Sequence, residues 1–492
     1  MKYRRIGLAA CAAALLLAVF APLCFAGHET VGRVHQHREA VPSEACAEPD
    51  DGGLCTYLPI VELSTGGVTI PGRPIYWDDG SVTYTLADDG ETTIGAKMQI
   101  IGTDTSVYHH ANGEPDVDTS VRIRVRGNSS RSFDKPSYSI RLVDEAGQNA
   151  PQSIMGMDAH HEWVLYGPWL DKTAVRNYMF YNLAGEIMDY APNVRYCEVI
   201  LDGDYQGLYV MTERITGGKN GARLGLTVSA KDHDFSGYLL RLDHKRPEET
   251  PLRSFTTYTY TTPLLLQIEY PGEKNLDEVL YEEIRQDFSD FEKALYSYDY
   301  DRPDYGYQTR LDTDSFVDYF ILNELSSNAD AGNYSTYIYK DVDGLLRMCV
   351  WDFNNACDNF FEEEISYEGF FLHNRLWYWM LMKDEDFTER LIFRYHELRQ
   401  GILREESLDA YIDQTLDFLA PALARNDARW GDVSQQANLL MPKDRNLTSR
   451  TAAVGQLKGY LHNRGDWLDE HIETLRQYSA ASRVKQYNEV ND

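Results

Sequence analysis

The sequence is poor in cysteine, in basic charge and in long apolar runs, and each shortage excludes a class of protein. Seven cysteines in 492 residues are too few for a disulfide-dense scaffold, and none is spaced as a zinc site. Lys and Arg number 47 against 77 Asp and Glu, a formal net charge of −30. Nucleic acid and anionic lipid repel so acidic a chain, and neither is expected as a main partner. The same charge repels ATP at long range, so a nucleotide site needs local Lys and Arg together with a divalent metal. Beyond the first 26 residues no stretch is long and apolar enough to span a bilayer. No internal repeat is present. Gly217–Gly221 carries glycines and a lysine but lacks P-loop spacing.

What is present has the balance of a soluble globular protein: 43% hydrophobic and 25% charged residues. Lys2, Arg4 and Arg5 precede an apolar run from Ile6 to Phe20 that closes on Cys24-Phe25-Ala26. This is the pattern of a secretory signal cut after Ala26, which places the protein outside the cell or at its surface. The alternative is an uncleaved anchor over residues 6–26, and a membrane is a partner only in that case. Bulky Leu23 before Cys24 argues against a lipoprotein signal. Of the remaining cysteines, Cys46 and Cys55 flank an acidic turn and can pair. Cys349 and Cys357 can pair too, while Cys197 lies in an apolar strand pattern and reads as a core thiol.

After the signal (1–26), residues 27–56 are polar and aperiodic, as in a linker. Residues 57–274 read as a β-rich N-terminal lobe holding one helix that starts near Asp171. Residues 275–480 read as a mainly helical C-terminal lobe, with helices at 277–298, 315–327, 386–402, 406–424 and 451–475 and a strand pair at 334–339 and 345–351. A polar tail, 481–492, ends the chain. The order gives an α+β, two-lobed protein.

Three clusters can carry chemistry. Arg126-Gly127-Asn128-Ser129-Ser130 through Lys135-Pro136 is a tight turn between alternating strands. Its backbone N–H groups and cations can hold phosphate oxygens, or it is an ordinary polar hairpin tip. Asn323 to Asn333 ends an apolar helix in polar residues. It can present a carboxylate and an amide, or only cap the helix. Met348 to Asn355 is an apolar strand that delivers Asp352, then Phe353 and two amides. Phosphoryl transfer needs one carboxylate near the acceptor hydroxyl and another at a metal, and the last two clusters supply them in that order.

Together these segments resemble the CotH kinase family, the spore-coat-protein-H-like atypical protein kinases. The resemblance runs from about Leu58 to Trp467. It is carried by RGNSS…KPSYSIRL, WVL…DKTAVRN at Trp163–Asn177, DGDYQGLYVMTER, DYFILNEL…NAD…NY and the strand ending WDF. It implies an atypical protein-kinase-like fold and an enzyme that uses ATP and Mg2+ or Mn2+ on an extracellular, envelope or coat protein. Asp330 then matches the catalytic aspartate and Asp352 the metal-binding one. Asn333 is expected as an amide ligand on the metal or as an orienter of Asp330, Asn354 as an amide ligand, and Arg126, Asn128, Ser129 and Lys135 over the phosphates. Arg141 and Arg176 are further phosphate or carboxylate partners, or structural ion pairs. Glu213 is expected near the adenine, or in a salt bridge. Family members usually read WDFD, and Asn354 stands where that last carboxylate is expected. The competing reading is a non-catalytic surface or coat protein that keeps the fold for binding.

Overall fold

Alternation of apolar and polar residues builds the N-terminal part. The strand Val117–Arg126 buries Val121, Ile123 and Val125 and turns Arg122, Arg124 and Arg126 the other way, because successive side chains of a strand point to opposite faces. Seven strands follow this rule: β1 (Ile60–Ser64), β2 (Ile94–Ile101), β3 (Val117–Arg126), β4 (Ser137–Val143), β5 (Glu162–Tyr166), β6 (Val194–Leu201) and β7 (Asp204–Glu213). They close into a barrel in the order β5-β7-β6-β1-β2-β3-β4. All pairs are antiparallel except β1 with β6, where Ile60 to Leu63 run alongside Glu198 to Leu201. Inside lie Val61, Met98, Ile123, Ile140, Trp163, Leu165, Cys197 and Met211.

The N-terminal part is therefore a closed barrel and not the kinase-like lobe the resemblance led us to expect. The reason is physical. A period of two is the same in an open sheet and in a barrel, and closure depends on a parallel pairing between segments more than a hundred residues apart, which no local pattern encodes.

The computed structural model describes residues 33–44, 46, 53–218, 223–227, 236–244, 250–258, 265–436 and 438–482. The segment 1–26 that reads as a signal lies outside the described residues, as do Gly221 and most of the tail. Among the described residues no helix is long and apolar enough to cross a membrane. Part of the polar stretch before residue 57 docks on the body: Tyr196 N donates to Gln36 Oε1 at 2.7 Å and Gln36 Nε2 donates to Tyr196 O at 3.2 Å.

The second sheet draws on both sides of residue 274. Its strands β8 (Tyr238–Asp243), β9 (Thr250–Pro251), β10 (Leu265–Tyr270), β11 (Thr336–Lys340) and β12 (Arg347–Cys349) lie in the order β9-β10-β8-β11-β12. The long helices are α1 (Arg176–Ile187), α2 (Glu278–Leu295), α3 (Thr313–Ser326), α4 (Glu385–Gln400), α5 (Glu405–Trp430) and α6 (Arg450–His471). Asp277 and Asp312 cap α2 and α3, each accepting a backbone N–H three residues on. α3 is buried from Ser315 to Ser326, and its two buried carboxylates, Asp318 and Glu324, are paired with Arg394 and Arg464. It forms the centre of the helical body, where each fully buried Phe or Leu contributes about 1.5–3 kcal/mol. Barrel strands touch the same core through their outer faces, with Val164, Tyr196, Leu208 and Val210 packed there.

α1 begins at Arg176, five residues after the expected cap. Asp171 nevertheless serves its start: Arg176 N donates to Asp171 Oδ2 at 2.9 Å, and Thr173 folds onto Asp171 Oδ1. Cys46 and Cys55 form a disulfide, while Cys349 and Cys357 are free and buried, against the expectation that they can pair. Cys349 ends a strand, and the N–H of Cys357 is held by Ser326 O at 2.7 Å. Cys197 faces the barrel interior as a core thiol.

Candidate active site

Three strand or helix ends converge on one cleft of about 490 Å³. β3 leads into the turn Arg126 to Ser130, α3 into the loop carrying Asp330, and β12 into Asp352. Gly127 sits at φ +114°, and a Cβ there would lie 1.8 Å from Ser130 Oγ, so the turn requires glycine. After it, Ser129–Ser132 make a short 3-10 turn. Arg131 pins this turn: its Nε donates to Gly127 O at 2.7 Å, and its guanidinium stacks on Tyr84 at 4.0 Å. Tyr84 belongs to a small hairpin, Pro74–Tyr76 with Val82–Tyr84, that forms one wall of the cleft.

Asp352 has φ +59°, a left-handed backbone that is strained for a residue with a Cβ and recurs at functional sites. Tyr181 Oη accepts its N–H at 2.9 Å, Asn177 Oδ1 accepts the N–H of Phe353 at 2.6 Å, and Asn328 Nδ2 donates to its carbonyl at 3.3 Å. These contacts from α1 and the α3 loop fix the strained turn. Burial raises the pKa of the Asp352 carboxyl, and the Arg126 guanidinium partly offsets this. Arg126 also lies over the Trp351 ring at 5.6 Å.

Asp330 receives a hydrogen bond from Asn355 Nδ2 at 3.1 Å. Its pKa is pushed up to about 7, first by burial and then by the negative charge of Asp352. Asp243, at the end of β8, adds repulsion to both carboxyls and lines the same cleft. Four carboxylates, Glu362 being the fourth, thus share a cleft with one arginine, Arg126, and one histidine, His244, which stacks on Tyr334 at 4.2 Å.

The cleft brings together Asp330, Asp352, Asn354, Arg126, Asn128 and Ser129. The other expected residues do not line it. Lys135 is buried between the barrel and α5, where its Nζ donates to Leu208 O and Asn426 Oδ1, both at 2.6 Å. The two residues after the turn carry it inward, so it ties the body together and does not reach the cleft. Arg141 points outward from β4 and is exposed. Glu213 is buried and accepts from Asn193 N at 2.9 Å. Asn333 closes a turn through its N–H to Asp330 O at 2.9 Å. Arg176 is a structural pair, with Nη1 at 2.6 Å from Asp171 Oδ1. Sequence reasoning missed Asp243, although it repeats the signal of Asp352: an aspartate at the end of an apolar strand. It also missed the aromatic hairpin at 74–84, whose exposed residues carry no chemical signature.

The arrangement suits a divalent cation. The Asn354 Oδ1 atom is buried and has no hydrogen-bond partner, an orphan acceptor of the kind a buried amide rarely leaves unmet. It adjoins a carboxylate cluster that one arginine cannot neutralise.

A family model described as CotH kinase protein matches residues 123–468, more than half of the chain. The chain belongs to the CotH kinase protein family. The matched region holds every residue of the cleft except those of the 74–84 hairpin. No curated protein matches the chain. Within this CotH protein, Asn354 supplies a neutral oxygen to the cleft beside the Asp352 carboxylate.

Proposed function

We propose that this CotH protein is a phosphotransferase that moves the γ-phosphate of ATP to a hydroxyl of a protein acceptor. The observation that carries the reading is the convergence of Asp330 and Asp352, from separate elements, beneath the Arg126–Ser130 turn in one cleft. Asp352 and Asn354 are the residues that would hold Mg2+ or Mn2+. When bound, the metal supplies charge neutralisation for the phosphates. Arg126 and the backbone N–H groups of Asn128 and Ser129 bind phosphate oxygens, which is positioning rather than covalent work. Asp330 stands as the base that takes the proton of the acceptor hydroxyl, and a carboxyl poised near neutrality suits that task. Asn355 orients it through the hydrogen bond to Oδ2. The signal-like segment 1–26 supports an exported enzyme acting on an extracellular, envelope or coat protein.

Thermal melts with increasing ATP, with and without Mg2+ or Mn2+, test the reading, since a ligand bound to the folded state must raise its stability. A metal-dependent rise in wild type that disappears in folded Asp352→Ala is expected. Absence of any ATP response in wild type contradicts catalysis and leaves the fold as a binding module.

A further inference from the structure

A second, smaller pocket of about 190 Å³ lies on the far side of Leu170, a residue that also lines the main cleft. Its walls include three cations, Lys172, Arg176 and Arg445, with Asp358 and Gln456. Two of the cations are matched: Arg176 pairs with Asp171 and Arg445 with Asp358, each at 2.6 Å. Among the described residues Lys172 has no carboxylate partner. It is 7% exposed, and its Nζ donates to two neutral oxygens, Asn438 Oδ1 at 3.0 Å and Leu447 O at 2.7 Å. An ammonium buried without a countercharge is unfavourable, and burial lowers its pKa. The Arg445 side chain is 10% exposed, and its Nε is buried with no hydrogen-bond partner. One pocket therefore lacks both a countercharge for a buried lysine and an acceptor for a buried guanidinium N–H.

We propose that this pocket binds a small tetrahedral oxyanion of the phosphate or sulfate class. Such an ion supplies both missing interactions at once: negative charge beside Lys172 and an acceptor for Arg445 Nε. Neutral ligands and cations supply at most one. The site also has a route to the cleft. Arg445 donates to Asp358 O at 2.9 Å and to Phe360 O at 3.0 Å, and Phe360 lines the catalytic cleft. An anion held at Arg445 braces the segment that forms that wall. The proposal is independent of phosphotransfer and stands whether or not the protein binds ATP.

The test uses the full chain, freed of phosphate and metal, in thermal melts and calorimetry with sodium phosphate, sodium sulfate or sodium chloride at matched ionic strength. Phosphate or sulfate is expected to raise the melting temperature by about 2 °C near saturation while chloride does not, and the stronger of the two identifies the ion. Lys172→Met removes the countercharge requirement. Ala453→Met fills the pocket without altering charge, and it decides the matter if the lysine variant does not fold. Each is expected to weaken oxyanion binding roughly tenfold or more, the scale of one charge-assisted hydrogen bond. Arg126→Ala, in the main cleft, is expected to keep the response. The proposal is overturned if wild type shows no oxyanion-specific shift, if the shift survives in the pocket variants, or if Arg126→Ala abolishes it.

Discussion

Replacing the proposed base should make the metal-free protein more stable. Asp330 is held in a cleft beside Asp352, and its pKa rises from 3.8 to about 7. Asp330→Asn keeps the shape and can still accept the bond from Asn355 Nδ2, but removes the charge. A pKa raised on folding means that the folded state prefers the neutral acid. Wild-type stability therefore falls as pH rises from about 4 to about 7, and the penalty is complete above that window. At roughly 1.36 kcal/mol per unit the upper bound is about 4 kcal/mol. Solvent at the cleft wall screens part of this, so about 1–2 kcal/mol is expected, or roughly 1–3 °C for a chain of this size. The assay is a set of thermal melts in chelator between about pH 4 and pH 8, comparing wild type with Asp330→Asn. The variant should gain progressively above pH 4 and reach a plateau near pH 8, and added Mg2+ should narrow the gap. A variant equal to or below wild type at pH 8, or a gap that ignores pH, refutes the electrostatic account of the cleft.

Two further outcomes follow from the same geometry. Asn354→Asp adds a carboxylate beside Asp352 in the loop proposed to hold the metal, so it should tighten Mn2+ or Mg2+ binding about tenfold by calorimetry while lowering the stability of the metal-free protein. Unchanged affinity would show that residue 354 is not a ligand. Arg126→Ala should weaken ATP binding about tenfold or more, the scale of a lost charge-assisted hydrogen bond. Lys135→Met should change stability but leave ATP affinity within a few-fold, because Lys135 ties Leu208 and Asn426 inside the body. Equal losses of ATP affinity in both would return Lys135 to the phosphate site.

Much of the local structure was legible in the sequence. The alternation Val121 to Arg126 and Tyr138 to Leu142 gave strands, the helices expected at 277–298 and 315–327 lie at Glu278–Leu295 and Thr313–Ser326, and the carboxylates at 330 and 352 face one cleft. What could not be read was long-range. Barrel closure rests on Ile60–Leu63 pairing with Glu198–Leu201, and the second sheet joins segments from both expected lobes. Lys135 looked like a phosphate ligand because it follows a glycine turn. Whether a lysine three residues past a turn faces solvent or core depends on Asn426, almost three hundred residues away. Asp243 was overlooked because its neighbours in the cleft are distant in sequence, though its position at a strand end carried a signal.

The central claim is that Asp330 acts on the acceptor while Asp352 serves the nucleotide-bound metal. Transfer of radiolabelled phosphate from ATP, to the protein itself or to an acceptor, measured beside calorimetric ATP binding on folded Asp330→Asn and wild type, tests it most directly. A base helps in the transition state and adds little to ground-state binding. Transfer should therefore fall by roughly a hundredfold or more in Asp330→Asn, with metal–ATP affinity within a few-fold of wild type. Undiminished transfer by Asp330→Asn, or loss of its ATP binding, would contradict the account.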